Sequence, residues 1–427
     1  MKILLVGNHT CGNRGDSAIL RGIINSLEEL EPNIQIEIIS RFATSSSFLL
    51  GRQVEEDILN NAARRANANL KGKLKRRFYE SFIYKALIAH IEKKGILQYV
   101  KLPLVYKEFT DTIRKYDAVI QVGGSFFVDL YGSIQFEHAL CALMAKKPIY
   151  MIGHSVGPFK NKAFNDVAKY VFSNVESLIL RENVSLNLMK DSGIPTNKVR
   201  AGIDTAWLVS EKIEKNGINY ALLHWKSIII NNKTIAMTFR KLAPFDKRLG
   251  ITQEQYMESF THLINHLTAA GYNVVAFSTC TGIEGYNNDD RMVALKIKDK
   301  ISDNDKFHII MDEFNDVELG QLLAECVLTI GTRLHSAIIS MNFGTPAVAI
   351  NYEHKSLGIM QQLDFSEMAI DIKELIDKTL VGKVMSILEN LTVIKIKMDQ
   401  AVRKEREKGK KINSEIINNI LSQSAVR

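Results

Sequence analysis

Lys2-Ile3-Leu4-Leu5-Val6-Gly7-Asn8-His9-Thr10-Cys11-Gly12-Asn13-Arg14-Gly15-Asp16, near the start of the chain, sets the pattern for the remaining residues. Its apolar run, 3–6, suits a buried strand and is too short for a helix or a signal-peptide core. A polar loop with two glycines comes next, then a helical pattern over 17–30 that stops before Pro32. An expected strand at 34–39 completes a βαβ unit.

The alternation repeats outward from there. After 40–115, which reads as a helical insertion, strands are expected at 118–122, 149–152 and 177–180, with helices at 136–145, 164–172 and 185–190. Residues 205–232 are irregular and read as a hinge. A second alternation places strands at 234–239, 273–277, 307–311, 327–330 and 347–350, with helices at 253–269, 291–301, 316–324, 335–341 and 357–363. The fold class is therefore α/β, with doubly wound domains at 1–210 and 230–392 and a C-terminal helix at 393–427. The apolar stripe of that helix, Met398, Val402, Ile412, Ile416 and Ile420, needs a surface to pack on, and a path back across the hinge is one reading.

Length and composition agree with this. A chain of 427 residues favours two domains, and 46% hydrophobic content with 25 glycines and seven prolines excludes a disordered or fibrous chain. The four cysteines, Cys11, Cys141, Cys280 and Cys326, form no CxxC pair, which fits free thiols in a reducing cytoplasm better than a disulfide or zinc framework. No window approaches the roughly 18 apolar residues of a membrane span. Ten basic and two acidic residues between 64 and 94 account for the whole net charge of +8. The basic stretch at 403–411 has interleaved acids and reads as a solvated helix face.

In open parallel sheets ligands bind beyond the carboxyl ends of the strands, so the residues after each strand are the candidates. The loop 8–16 offers glycines for close backbone approach and a helix N-terminus for an anionic or hydroxyl-rich ligand. Neither GxGxxG nor a P-loop is present. Gly123-Gly124-Ser125 with Asp129, His154-Ser155 and Arg181 follow the next strands, and Gly331-Thr332-Arg333-Leu334-His335-Ser336 puts a guanidinium, an imidazole and free N–H groups at a helix start. The competing reading of Arg333 is a structural ion pair. Two lookalikes are discounted: His262 and His266 lack the glutamate of a zincin, and Asp303-Asn304-Asp305 precedes a strand and reads as a turn.

These motifs together with Gly153-His154-Ser155-Val156-Gly157-Pro158, Ala243-Pro244-Phe245-Asp246-Lys247-Arg248 and Asn351-Tyr352-Glu353-His354-Lys355 resemble the polysaccharide pyruvyl transferase family nearly end to end, and its colanic-acid branch of enteric bacteria in particular. The resemblance implies two Rossmann-like domains in a GT-B-like arrangement. It also implies phosphoenolpyruvate as donor and a sugar of an exopolysaccharide repeat unit, lipid-linked or free, as acceptor. Donor binding would fall to Arg181, Arg333, His335 and Ser336. His335 and Arg333 would act in catalysis, with Asp16 or Asp129 as the base for the sugar hydroxyls. Acceptor or loop contacts would come from Asn8, Gly12, Asn13, Gly123, Gly124, Ser125, His154, Tyr352 and Lys355.

Neither a metal nor a cofactor is expected, because no metal-ligand spacing stands and the arginines supply positive charge. A cytoplasmic enzyme follows, without nucleic acid as a partner. Peripheral contact with the inner membrane could run through the basic segment and its apolar residues Phe78, Phe82, Leu87, Ile88 and Ile91. The alternatives are a GT-B sugar-nucleotide enzyme, a glycosyltransferase or 2-epimerase, and a basic adaptor for membrane or nucleic acid.

Overall fold

The computed structural model describes residues 1–66, 82–210, 219–243, 245–352 and 354–425, apart from the side chains of residues 66, 354–356, 424 and 425. The chain forms two compact units. One comprises Met1–Thr10, Ile19–Leu208 and Lys408–Arg427, the other Cys11–Ala18 and Val209–Glu407.

The first unit is built on a seven-stranded parallel sheet of strands β1 (Lys2–Asn8), β2 (Gln35–Ser40), β3 (Glu55–Glu56), β4 (Ala118–Phe127), β5 (Ile149–Val156), β6 (Ser177–Leu180) and β7 (Val199–Ala201). Their order is β3-β2-β1-β4-β5-β6-β7. Helices on both faces explain the near-continuous apolar runs of β1, β4 and β5. The edge strands β3 and β7 are too short to leave a sequence signal.

Two central strands run further than the sequence suggests. β4 carries on through Gly123-Gly124-Ser125, and β5 through Gly153-His154-Ser155. The glycines permit the extension instead of ending the strands: a Cβ on Gly123 would lie 2.4 Å from the Gly153 carbonyl oxygen, so only glycine lets the two strands approach there. The cost is an irregular register between Gly124 and Phe127.

In the insertion, Ile58–Ala66, 82–92 and Leu104–Ile113 are helical, and β3 also falls within it. Ile83, Tyr84 and Leu87 join Phe109, Ile113 and Leu140 in the core, with Ile88 and Ile91 packed against it. Of the apolar residues expected to face a membrane, Leu87, Ile88 and Ile91 are thus turned inward, whereas Phe82 is exposed. Phe78 and the basic run 71–77 lie outside the described residues.

That core contains a buried carboxyl. Glu137 accepts hydrogen bonds from the Tyr106 hydroxyl at 2.6 Å and the Tyr84 hydroxyl at 3.2 Å. Burial outweighs them and pushes its pKa up to about 7. The native state therefore holds this proton between about pH 4.5 and 7 where the unfolded chain gives it up, so its stabilising effect is present at low pH and lost as pH rises through that window. Glu137→Gln keeps an acceptor without the charge. It should match the wild type near pH 4.5 and exceed it by about 3 kcal/mol at pH 8 in urea unfolding, a gain at both pH values counting against this reading.

The second unit has six parallel strands, β8 (Thr234–Thr238), β9 (Asn273–Phe277), β10 (Phe307–Ile309), β11 (Leu328–Gly331), β12 (Ala347–Asn351) and β13 (Ala369–Asp371). Their order is β10-β9-β8-β11-β12-β13. The segment read as an irregular hinge contains a helix, Tyr220–Ile230, capped by the Asn219 side chain. It escaped notice because its apolar residues run on without a helical period. Near the C-terminus, helix Leu391–Ala425 buries Met398, Val402, Ile412, Ile416 and Ile420. Among the described residues no helix is long and apolar enough to cross a membrane.

Candidate functional site

In the first unit the strand-end residues form a closed polar cluster. Arg181, directly after β6, donates to Asp204 at 2.6 Å, to the Ser155 hydroxyl at 2.8 Å and to the Ser125 hydroxyl at 2.7 Å. Asp204 matches its charge, and both side chains are buried. What Arg181 does here is hold the Gly123-Gly124-Ser125 end of β4 against β5.

His154 is fully buried, takes a hydrogen bond with the Gln121 carbonyl at 3.1 Å and stacks edge-on to Phe127. Burial, and less so the nearby Arg181 charge, drops its pKa to about 3. Burial keeps it neutral, and with β5 extended through Val156 its side chain lies in the core. Asn8, at the end of β1, is likewise buried and accepts from the Ser40 hydroxyl at 2.8 Å. Asp129 accepts from the Lys160 backbone N–H at 3.0 Å and ties two loops together.

The second unit gathers the remaining candidates. Loop residues 11–18 belong to it, although the strand before them lies in the first unit. Asn13 pairs as a single antiparallel bridge with Cys280, with the Arg14 N–H donating to the Thr279 carbonyl at 2.7 Å and the Thr281 N–H to the Gly12 carbonyl at 3.1 Å. Arg14 anchors this loop. It is only 1% exposed and donates to the Cys11 and Gly12 carbonyls, to Thr281 and to Glu313 at 2.6 Å.

Beside that bridge lies a charged cluster. Arg333, between β11 and helix Leu334–Asn342, forks onto Asp290 with contacts of 2.6 and 3.2 Å. Burial opposes the charge on Arg333, and Asp290 more than restores it, holding the guanidinium above its ordinary pKa. Asp290 is buried and also accepts the Cys280 N–H at 3.1 Å. Burial raises its pKa against the pull of Arg333.

Arg240 is the second cation. Its guanidinium lies 4.3 Å from the Tyr352 ring and 5.0 Å from that of Phe245, and it donates to the Tyr352 hydroxyl. Burial, then the like charge of Arg333, brings its pKa down to about 10. Arg333 is thus paired with a buried carboxylate while Arg240, held by Tyr352 and Phe245, lies near enough for the two like charges to be felt, at a helix start. Such a pocket wants an anion.

His335 sits half-buried in the first turn of that helix, against Gly15: a Cβ on Gly15 would fall 2.4 Å from its Nδ1. Asp16, one residue on, lies close enough to raise the Cys280 thiol and the Tyr286 hydroxyl, though burial is the larger cause for both. Ser336 is fully buried and bonds the Arg333 carbonyl at 2.6 Å and Thr238 at 2.9 Å. These bonds lock the helix start. The Lys355 side chain lies outside the described residues.

Arg333, His335, Asp16, Gly12, Asn13 and Tyr352 thus share one unit, whereas Arg181, Ser125 and Asp129 stand in the other. Arg240, Asp290, Arg14 and Glu313 were not singled out from sequence. Arg240 follows β8 by two residues, so the strand-end rule would have found it.

Comparison with known proteins settles the family. The family model described as polysaccharide pyruvyl transferase matches residues 13–354. The chain is 56% identical over 421 residues to the amylovoran biosynthesis protein AmsJ of Erwinia amylovora, covering 98% of this chain and 100% of that protein. Among solved structures, the Anabaena protein Alr3699/HepE in complex with UDP-glucose superposes with a TM-score of 0.57 at 12% identity, over 99% of this chain and 100% of that one. The UDP-GlcNAc 2-epimerase of Neisseria meningitidis bound to UDP-GlcNAc gives 0.55 at 14% identity, with the same coverage. At such identity these two share the fold alone. The motif of residues 331–336, the match over 13–354 and the 56% identity agree, and the chain belongs to the polysaccharide pyruvyl transferase family.

Proposed function

We propose that the protein transfers a pyruvyl group from phosphoenolpyruvate to two hydroxyls of a sugar in an exopolysaccharide repeat unit of the colanic-acid or amylovoran type, forming a ketal and releasing phosphate. The observation that carries this is the nearness of Arg240 to Arg333, close enough for one charge to depress the other, within the unit that also holds His335. Phosphoenolpyruvate has a carboxylate and a phosphate on a three-carbon frame, and two buried guanidiniums match two anionic groups.

In the reaction the C3 methylene takes a proton and becomes a methyl group. One sugar oxygen bonds to C2, then the bond from C2 to the phosphate oxygen breaks and a second sugar oxygen replaces it. Two hydroxyl protons are lost, one offsetting that gained at C3 and the other leaving with phosphate or solvent. His335 supplies the proton to C3 or to the departing phosphate. The guanidiniums stabilise charge gathering on the leaving group. Asp16 is taken as the base for the hydroxyls, because it stands in the unit that holds Arg333 and His335 whereas Asp129 stands in the other. Arg181 serves by holding Ser125 in place.

The test is incubation with phosphoenolpyruvate and repeat-unit oligosaccharide, reading phosphate release and the mass of the sugar product. One phosphate per ketal supports the proposal. Turnover of a UDP-sugar with phosphoenolpyruvate untouched would transfer the site to the sugar-nucleotide chemistry of the fold's other members. Because Arg240 and Arg333 supply the positive charge, prolonged chelation should leave the rate unchanged; loss restored by one divalent ion would contradict that assignment.

A further inference from the structure

We infer that the first unit carries a docking surface for an anionic lipid bilayer, centred on Ile96, Tyr99 and Leu104. These side chains are 83%, 82% and 67% exposed, among the most exposed large apolar residues described. Ile96 and Tyr99 are the ends of a single 3₁₀ turn, Ile96–Tyr99, and residues three apart in such a turn stand on one face. Leu104 opens the next helix, Leu104–Ile113, five residues on.

The same stretch holds Lys93, Lys94, Lys101 and Lys107, all exposed, against Glu92 and Glu108. Inward-facing neighbours fix the segment from behind: Tyr106 and Phe109 are buried in the core, and the His90 ring bonds the Val100 carbonyl at 2.9 Å. The protruding apolar side chains are therefore held out by a packed scaffold.

Apolar side chains flanked by lysines on one short segment suit an interface with apolar depth and negative headgroups. A second copy of the chain suits it less well, since each copy would bring the same lysines to the contact. The surface is distinct from the residues Leu87, Ile88 and Ile91, which face the core. It also stands independently of the donor reading, because no residue of the charged cluster takes part.

Flotation of the full chain with vesicles of phosphatidylethanolamine and phosphatidylglycerol tests it, with phosphatidylcholine vesicles as the control. Binding is expected to the anionic vesicles at low salt, to weaken at high salt, and to fall roughly tenfold or more in the triple variant Ile96→Ser, Tyr99→Ser, Leu104→Ser. A variant with Lys93, Lys94, Lys101 and Lys107 changed to Gln should lose the preference for anionic lipid. As neither set is buried, thermal unfolding should stay near the wild type. Undiminished binding in both variants overturns the proposal, as does a dimer in light scattering that the serine variant dissolves. Binding lost only on neutralising Lys73, Lys75, Arg76 and Arg77 would overturn it in favour of the preceding basic run.

Discussion

Replacing Arg333 is expected to lower pyruvyl transfer by about 10² to 10³, the loss typical of a preorganised donor facing charge that develops in a transition state. Arg333→Ala mixes that effect with another, because it strands the buried Asp290 without its partner. Arg333→Lys separates them. A lysine keeps a cation for Asp290 but cannot present the fork, so the fold should hold while kcat falls at saturating donor. Arg333→Ala combined with Asp290→Asn should be folded and equally inactive. Near-normal turnover in either variant removes Arg333 from the chemistry. His335→Ala should match the loss, again without unfolding, since His335 is only half-buried.

The largest effect on stability should come from Arg14→Ala. Its guanidinium bonds the Cys11, Gly12 and Phe314 carbonyls, Thr281 and Glu313, so truncation leaves three carbonyls, a hydroxyl and a carboxylate short of a donor. Leaving a buried acceptor without its donor costs about 1 to 3 kcal/mol, and three buried carbonyls lose theirs while Glu313 keeps Arg291, so a loss of about 3 kcal/mol or more is expected. Hydrogen exchange should show the damage at 279–281 and 311–316, in the second unit, together with 11–18. Protection unchanged at those residues would mean that the loop is not held as described.

This attachment was not legible in the sequence. Residues 11–18 come soon after β1, and adjacency assigns them to β1's own unit; the bridge from Asn13 to Cys280 and the bonds of Arg14 to Thr281 and Glu313 place them in the other. Asp290 was equally hidden, since nothing at position 290 marks it as the partner of a residue 43 positions on. The βα alternation was readable because apolar strand runs and helical periods are local signals. Glycine misled at β4 and β5: it commonly ends strands, yet here it lets two strands close on each other and so turns His154 inward. Arg333 and His335 could be singled out because a strand end followed at once by a helical pattern is a local signal.

The central claim is tested most directly by the exopolysaccharide itself. Mass spectrometry of the repeat unit from a strain lacking this protein, and from one carrying Arg333→Lys in its place, should show the repeat without its pyruvyl ketal and with every sugar still present. A repeat that keeps its ketal, or one missing a sugar residue, would contradict the account.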